Sequence, residues 1–131
     1  MTLFIDASAL VALAADEPER RALSARLADD NNPIWSAMTY WEAVSALCWS
    51  YKLDAPAARH RIVEVLAPMP IRLVTIGAVE ADLALEAYER YGKGRHPARL
   101  NLGDCFAYAC AKANGAQLLY KGGNFARTDL A

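Results

Sequence analysis

The sequence lacks any long apolar run and any strong net charge, and both absences reduce the number of function classes to which the protein can belong. No apolar stretch approaches the roughly 18 residues that a membrane-spanning helix requires. The N-terminus has no basic stretch of the kind that opens a secretory signal, and Asp6 interrupts its short apolar run. We therefore predict a cytoplasmic protein with no membrane partner. The net charge of −1 excludes a strong global attraction to nucleic acid but allows a local one.

Cysteine and histidine are scarce, which argues against several kinds of catalytic centre. The 3 cysteines, Cys48, Cys105 and Cys110, form no C-x-x-C pair, so buried reduced thiols are predicted rather than a zinc site. The 2 histidines, His60 and His96, are too few and too isolated for a histidine acid–base pair. The sequence also contains no Ser-His-Asp or Cys-His arrangement and no Walker-type phosphate loop. A nucleotide hydrolase is therefore not expected.

Short apolar runs alternate with longer helical patterns along the chain. Strands separated by helices favour a parallel sheet that is covered on both faces. The length of 131 residues suits one α/β domain spanning 1–131. The predicted strands are Thr2–Ile5, Pro33–Trp35, Ile71–Ile76 and Gln117–Tyr120, and the predicted helices lie near Ala7–Ala14, Pro18–Asp29, Tyr40–Lys52, Ala57–Leu66, Ala78–Tyr91 and Gly103–Asn114.

The third predicted helix is unusually rich in aromatic residues. Its aromatic side chains are predicted to belong mainly to the core, and exposure of some of them at a homodimer or partner surface is the alternative. They are Tyr40, Trp41, Trp49 and Tyr51.

Three acidic residues stand at the ends of apolar segments. Asp6 follows the first strand, Glu42 lies inside the aromatic-rich helix, and Asp104 opens an alanine-rich helix. A carboxylate beside a buried element is costly unless it is compensated, and three that converge favour a divalent ion with oxygen ligands. Each also has a structural explanation, since Asp6 and Asp104 suit helix caps and Glu42 completes a capping box with Thr39. The pattern thus allows a metal-dependent acidic site or three separate caps, and capping does not exclude ligation, because a cap can fix the side-chain direction that metal binding needs.

The acidic motifs resemble those of a known family, in its order and over nearly the whole chain. Leu3-Phe4-Ile5-Asp6-Ala7-Ser8-Ala9-Leu10 is similar to the opening of a PIN-domain ribonuclease, particularly a VapC-type toxin. Thr39-Tyr40-Trp41-Glu42-Ala43 resembles the second acidic motif. Leu102-Gly103-Asp104-Cys105-Phe106-Ala107-Tyr108-Ala109 resembles the third, and the segment from Leu118 to Leu130 resembles the terminal one.

This resemblance implies a fold, a reaction and partners. The fold is a three-layer α/β/α PIN-like domain with a short, mainly parallel central sheet. The reaction is hydrolysis of RNA phosphodiester bonds by an endoribonuclease that depends on Mg²⁺, with Mn²⁺ as an alternative ion. The implied partners are RNA, a cognate VapB-type antitoxin and a second copy of the chain.

The resemblance also assigns roles to residues of the predicted site. Asp6, Glu42 and Asp104 take the catalytic and metal-binding positions. Ser8 and Thr39 match hydroxyl positions near them, with helix-start hydrogen bonding as the alternative role. Asn124 stands where the family often has a fourth acid, so it offers a carbonyl oxygen without a negative charge. Asp129 is interpreted as structural, with a second-metal role as the alternative.

A basic segment precedes the third acidic motif. Lys93, Arg95 and Arg99 are candidates for contacts with RNA phosphates, with Lys121 and Arg127 as additions. A solvated basic loop is the alternative interpretation.

Two functions compete with the nuclease. One is a receiver-like α/β module that binds metal for signalling, although the expected pair of acids near the first strand is missing, since Ala-Ser-Ala follows Asp6. The other is a catalytically weak interaction protein, which Asn124 favours. Metal-dependent RNA cleavage distinguishes both from a nuclease.

Overall fold

A four-stranded parallel sheet forms the centre of the fold. The computed structural model describes residues 2–131. Within them the strands are β1 (Leu3–Ile5), β2 (Ile34–Trp35), β3 (Arg72–Leu73) and β4 (Gln117–Leu119), and their order across the sheet is β3-β2-β1-β4. Phe4 pairs with Ile34 on one side and with Leu118 on the other. The strand β1 is therefore central and has all three residues fully buried.

Six α-helices cover this sheet. They are α1 (Ala7–Ala14), α2 (Arg20–Ala28), α3 (Ala37–Tyr51), α4 (Ala55–Leu66), α5 (Ala78–Tyr91) and α6 (Leu102–Ala113), and a short 3₁₀ turn at Phe125–Arg127 follows β4. None of the helices within residues 2–131 is both long and apolar enough to cross a membrane.

Side-chain alternation along the strands builds two separate cores. Leu3 and Ile5 point into a cluster formed with α1 to α4, whereas Phe4 points into a cluster formed mainly with α5 and α6. Both faces of the sheet are thus covered by helices, and the predicted three-layer α/β/α fold with a parallel sheet is confirmed.

The strand order determines where a site can form. The chain proceeds outward from β1 through β2 to β3, then returns to place β4 on the other side of β1. In open parallel sheets, ligands bind beyond the carboxyl ends of strands at such a reversal. Helix α3 begins at this edge because it follows β2, and α6 begins there because it precedes β4. The first turns of both helices therefore lie near Asp6.

Two predicted boundaries differ from the structure in informative ways. The predicted third strand, Ile71–Ile76, is reduced to Arg72–Leu73 because its neighbour β2 has only two residues with which to pair. Helix α3 begins at Ala37 rather than near Tyr40, because Ser36 is its N-cap and accepts a hydrogen bond from the Thr39 amide. The predicted capping box between Thr39 and Glu42 is therefore wrong.

The prediction that the aromatic residues of α3 are mainly core is also wrong for most of them. Trp41 is 72% exposed, Trp49 is 85% exposed and Tyr51 is 41% exposed. The face of α3 that is fully buried consists of the smaller residues Thr39, Ala43 and Leu47. Of the four aromatic residues only Tyr40 packs against the core.

Candidate active site

Asp6 lies directly beyond the central strand and is held by the start of α1. Its side chain is the N-cap of that helix, as predicted, and its Oδ2 atom accepts a hydrogen bond from the Ser8 amide at 3.0 Å. The Ser8 hydroxyl donates to the same oxygen at 2.6 Å and accepts from the Lys121 amide at 2.9 Å. These contacts fix the direction of a carboxyl group that is only 5% exposed, while Oδ1 remains outside them.

Asp104 is oriented by a capping box at the start of α6. The Asn101 side chain accepts from the Asp104 amide at 2.9 Å, and Oδ2 of Asp104 accepts from the Asn101 amide at 3.1 Å. The predicted cap is thus confirmed, and it leaves the side chain in the first turn, where the helix dipole favours a negative charge.

Glu42 reaches the same region from the second turn of α3. A Cβ atom built on Gly103 would overlap the Glu42 carboxyl group, so this carboxyl group lies directly against the backbone of α6 beside Asp104. Gly103 itself is buried. The approach of Glu42 to α6 therefore depends on the absence of a side chain at position 103.

The pKa values of the three acids show that they form one electrostatic group. Burial raises the pKa of Asp6 to about 6, the two Ser8 hydrogen bonds oppose this rise, and the charge of Asp104 adds to it. Burial also raises the pKa of Glu42 to about 7, with further increases from the charges of Asp6 and Asp104. Burial raises the pKa of Asp104, while hydrogen bonds from Asn101 and Asn124 lower it. Asp6, Glu42 and Asp104 therefore lie near enough for their charges to act on one another.

Among the residues that the structure describes, no cationic side chain forms an ion pair with this acidic group. None of the ion pairs formed in residues 2–131 includes Asp6, Glu42 or Asp104. The nearby Lys121 ammonium group is bound instead by Glu17 at 2.8 Å and by Glu19 at 3.4 Å. A partly buried group of carboxylates without a paired cationic side chain is chemically suited to a hard divalent ion with oxygen ligands.

The three carboxyl groups do not form a ready-made set of metal ligands. Over the part of the chain that the structure describes, no three acidic, histidine or cysteine side chains lie close enough to share one ion. Like charges favour such separation. Glu42 is the most adjustable of the three because its side chain is partly buried and has one more rotatable bond than an aspartate. Binding of an ion by all three acids therefore requires side-chain rotation, for which the long Glu42 side chain is suited.

Asn124 and the two predicted hydroxyl residues differ in how closely they approach the acids. Nδ2 of Asn124 lies 3.4 Å from Oδ2 of Asp104, so a role as metal ligand would require the amide to turn and present its oxygen. The Ser8 hydroxyl contacts Asp6, as described above. The Thr39 hydroxyl instead lies 3.1 Å from the Ser36 hydroxyl, where it belongs to the start of α3.

The basic segment forms the loop between α5 and α6. Its two ends are joined by a hydrogen bond from the Lys93 amide to the Leu100 carbonyl group, which brings the loop to the start of α6. The Arg95 guanidinium group lies 4.9 Å from the centre of the Tyr88 ring, and Arg99 has a positive φ of 54°. The loop that carries Lys93, Arg95 and Arg99 thus leads into the start of α6, the helix end that orients Asp104.

Asp129 has contacts that match its structural interpretation, and two of the three cysteines have the predicted burial. Asp129 accepts hydrogen bonds from the Tyr108 hydroxyl at 2.7 Å and from the Lys112 ammonium group at 2.6 Å. Cys105 and Cys110 are buried free thiols, whereas Cys48 is only partly buried.

The residue that sequence reasoning missed is Gly103. In the sequence it stands only as the residue before Asp104 in the third acidic motif. The sequence around a glycine in the first turn of a helix does not indicate which side chain packs against it, because Glu42 belongs to a distant segment of the chain.

Comparisons with known proteins identify the family to which the chain is similar. A sequence profile described as the PIN domain matches residues 3–130. Ribonuclease VapC of Mycolicibacterium smegmatis is 43% identical over 129 residues, which cover 98% of both chains. Ribonuclease VapC30 of Mycobacterium tuberculosis is 41% identical over 129 residues, which cover 98% of this chain and 96% of that protein.

A solved structure is similar in fold. It is that of VapC20 of Mycobacterium tuberculosis, a toxin that cleaves the sarcin-ricin loop. It superposes with a TM-score of 0.72, covering 95% of this chain and 92% of that chain, at 20% sequence identity. At this identity the likeness concerns the fold alone.

Proposed function

Because the chain belongs to the PIN-domain family, we propose that it is a metal-dependent endoribonuclease toxin of the VapC type. Relatives that are 41–43% identical over nearly the whole chain are ribonucleases by name, which supports RNA as the substrate. The observation that carries the metal dependence is the group of Asp6, Glu42 and Asp104, whose charges no cationic side chain within residues 2–131 compensates. A cognate VapB-type antitoxin, homodimer formation and a cytoplasmic location complete the proposal.

In the proposed reaction, each acid has a distinct task. Asp6 and Asp104 would hold the principal Mg²⁺ or Mn²⁺, because hydrogen bonds at Oδ2 fix the direction of each carboxyl group. Glu42 would ligate the ion directly or through water and would orient the attacking water. Asn124 is a weaker contributor that adds no charge. The chemistry supplied by such an ion when bound is polarisation of a phosphoryl oxygen and a lowered pKa of water.

Chelation provides the direct test of this function. Protein treated with a chelator and then dialysed is expected to lose RNA cleavage, and Mg²⁺ or Mn²⁺ is expected to restore it, because the carboxylates alone offer no electrophile. The measurement is the appearance of new ends in a total RNA preparation, followed by end sequencing to identify the target. Cleavage that persists at full rate in excess chelator would contradict the metal dependence.

The basic loop yields a second prediction. The double substitution Arg95→Ala/Arg99→Ala is expected to weaken RNA binding and to reduce the slope of log affinity against log salt by about 1.4, because each lost phosphate contact on a single strand contributes about 0.7. The affinity is measured by fluorescence anisotropy at several salt concentrations.

The control is a second pair of exposed arginines in the other helical layer. Arg21→Ala/Arg61→Ala removes the same charge from α2 and α4. Its salt slope is expected to equal that of the parent protein. Equal slopes for both double variants would argue that the basic loop is merely a solvated surface.

A further inference from the structure

An apolar cleft opens beside the acidic group. It has a volume of about 590 Å³ and lies between the starts of α3 and α6. Its apolar walls include Met38, Trp41, Ile76 and Leu102, and Glu42 is the one charged residue that lines it. We refer to this feature as the Trp41 cleft. Because Glu42 belongs both to the cleft and to the acidic group, whatever fills the cleft lies next to the reacting centre.

The lining of the Trp41 cleft determines what kind of group it can hold. It contains no lysine, arginine or histidine, so it offers nothing to neutralise a phosphate. It does contain a large aromatic face, because the Trp41 side chain is 72% exposed. The Leu102 side chain, which is 69% exposed, adds accessible apolar surface. A flat, uncharged ring that buries its faces and keeps polar atoms at its edge is complementary to such a site.

Asn101 supplies a polar group at the wall of this cleft. Its side-chain oxygen is used to cap α6 by accepting from the Asp104 amide. The side-chain nitrogen of Asn101, Nδ2, lies outside that hydrogen bond and is a donor for the edge of a bound ring. The cleft thus combines an aromatic face, apolar walls and one polar donor.

We propose that the Trp41 cleft binds one unpaired RNA base next to the scissile phosphate, with the base stacked on the Trp41 indole. This inference rests on the proposed nuclease function and identifies the form of its substrate. A phosphate held at the acidic group places the neighbouring base within reach of the cleft, since both share Glu42. A paired base inside a helix cannot enter, so the substrate is single-stranded or a loop at this position.

The test compares two exposed tryptophans on one helix. Trp41→Ala is expected to raise KM for a mixed-sequence, unstructured RNA by about 5- to 150-fold, which corresponds to the loss of the free energy of stacking one base on an aromatic ring. Trp41→Phe keeps an aromatic face and is expected to recover most of this loss. The matched control is Trp49→Ala, which removes a tryptophan that is 85% exposed about two turns further along α3. It is expected to behave like the parent protein.

Two further measurements distinguish the explanations. Mn²⁺ affinity, followed by electron paramagnetic resonance, is expected to be unchanged in Trp41→Ala, whereas a loss would indicate that the substitution acts by displacing Glu42 and would overturn the stacking role. RNA is expected to quench tryptophan fluorescence in the parent and in Trp49→Ala, but much less in Trp41→Ala.

The failures of the two proposals are separable. If the parent protein with Mn²⁺ cleaves no RNA, the nuclease function itself fails. If the parent cleaves RNA and Trp41→Ala has the same KM, only the base-binding cleft is overturned. An unchanged KM together with altered sedimentation or antitoxin binding would assign the Trp41 cleft to a protein interface instead.

Discussion

Asp6→Asn is expected to abolish RNA cleavage and to stabilise the metal-free protein. Substitution of outer residues that merely orient metal ligands costs about 10- to 100-fold in activity or affinity, so loss of a direct carboxylate ligand is expected to cost more than about 100-fold. The fold should persist because asparagine is as good an N-cap as aspartate and can still accept the hydrogen bonds from Ser8.

The gain in stability follows from the raised pKa of Asp6. Its pKa is about 6 in the folded protein and 3.8 in the unfolded chain, so the folded state disfavours the charged form. At pH 8 this destabilisation is fully present and is worth about 2–3 kcal/mol for so buried a group. It declines as the pH falls through 6 and disappears below 3.8. The free energy of unfolding of Asp6→Asn should therefore exceed that of the parent at pH 8, with the difference vanishing near pH 4.

Denaturant unfolding in chelator at several pH values measures this difference. Addition of Mn²⁺ at pH 8 is expected to raise the stability of the parent in proportion to the logarithm of ion concentration and to leave Asp6→Asn nearly unchanged. A variant that is less stable than the parent at pH 8 in chelator would show that Asp6 is a structural cap whose charge is well compensated.

A second buried aspartate provides the control for this experiment. Asp30 is 7% exposed and accepts hydrogen bonds from the Leu3 and Asn32 amides with its two carboxyl oxygens. Asparagine would present an N–H group to one of these donors, so Asp30→Asn is expected to lower stability. Because it lies outside the acidic group, the folded variant should cleave RNA at the rate of the parent.

The sequence predicts correctly those parts of the fold that short segments determine by themselves. Alternating apolar strands and helical patterns predicted a parallel sheet covered on both faces, and the position of Asp6 after β1 placed it at the carboxyl edge. The cap at Asp104 was also predictable, because Asn101 and Asp104 are three residues apart and both partners belong to one helix turn.

Features that depend on contacts between distant segments cannot be predicted from the local sequence. Thr39 and Glu42 have the spacing of a capping box, yet Ser36 begins the helix, because β2 ends immediately before it. Trp41 and Trp49 are large apolar side chains of the kind that usually pack in a core. Helix α3 instead buries the face that carries small residues, because that face can pack closely against the neighbouring elements. The aromatic composition of this helix predicts burial of its large side chains and does not indicate that the face with Thr39, Ala43 and Leu47 turns inward.

The contact between Gly103 and Glu42 yields the second large effect. Gly103→Ala is expected to lower cleavage by about 10- to 100-fold without loss of stability. The added methyl group overlaps the Glu42 carboxyl group, which must move away from α6. Such a displacement resembles the loss of an orienting contact at a metal site, for which this range is typical. Stability should be equal or higher, because alanine favours a helix over glycine by about 1 kcal/mol.

A glycine elsewhere in the chain and a double substitution make this prediction specific. Gly123→Ala is the control, since its added Cβ has no neighbour within 4 Å in the described structure. It should cleave RNA normally. In a Glu42→Ala background, Gly103→Ala should cause no further loss, because the group that it displaces is already absent. Additive losses in the double variant would mean that Gly103 acts through another part of the site, and full activity of Gly103→Ala would remove Glu42's approach to α6 from the proposed mechanism.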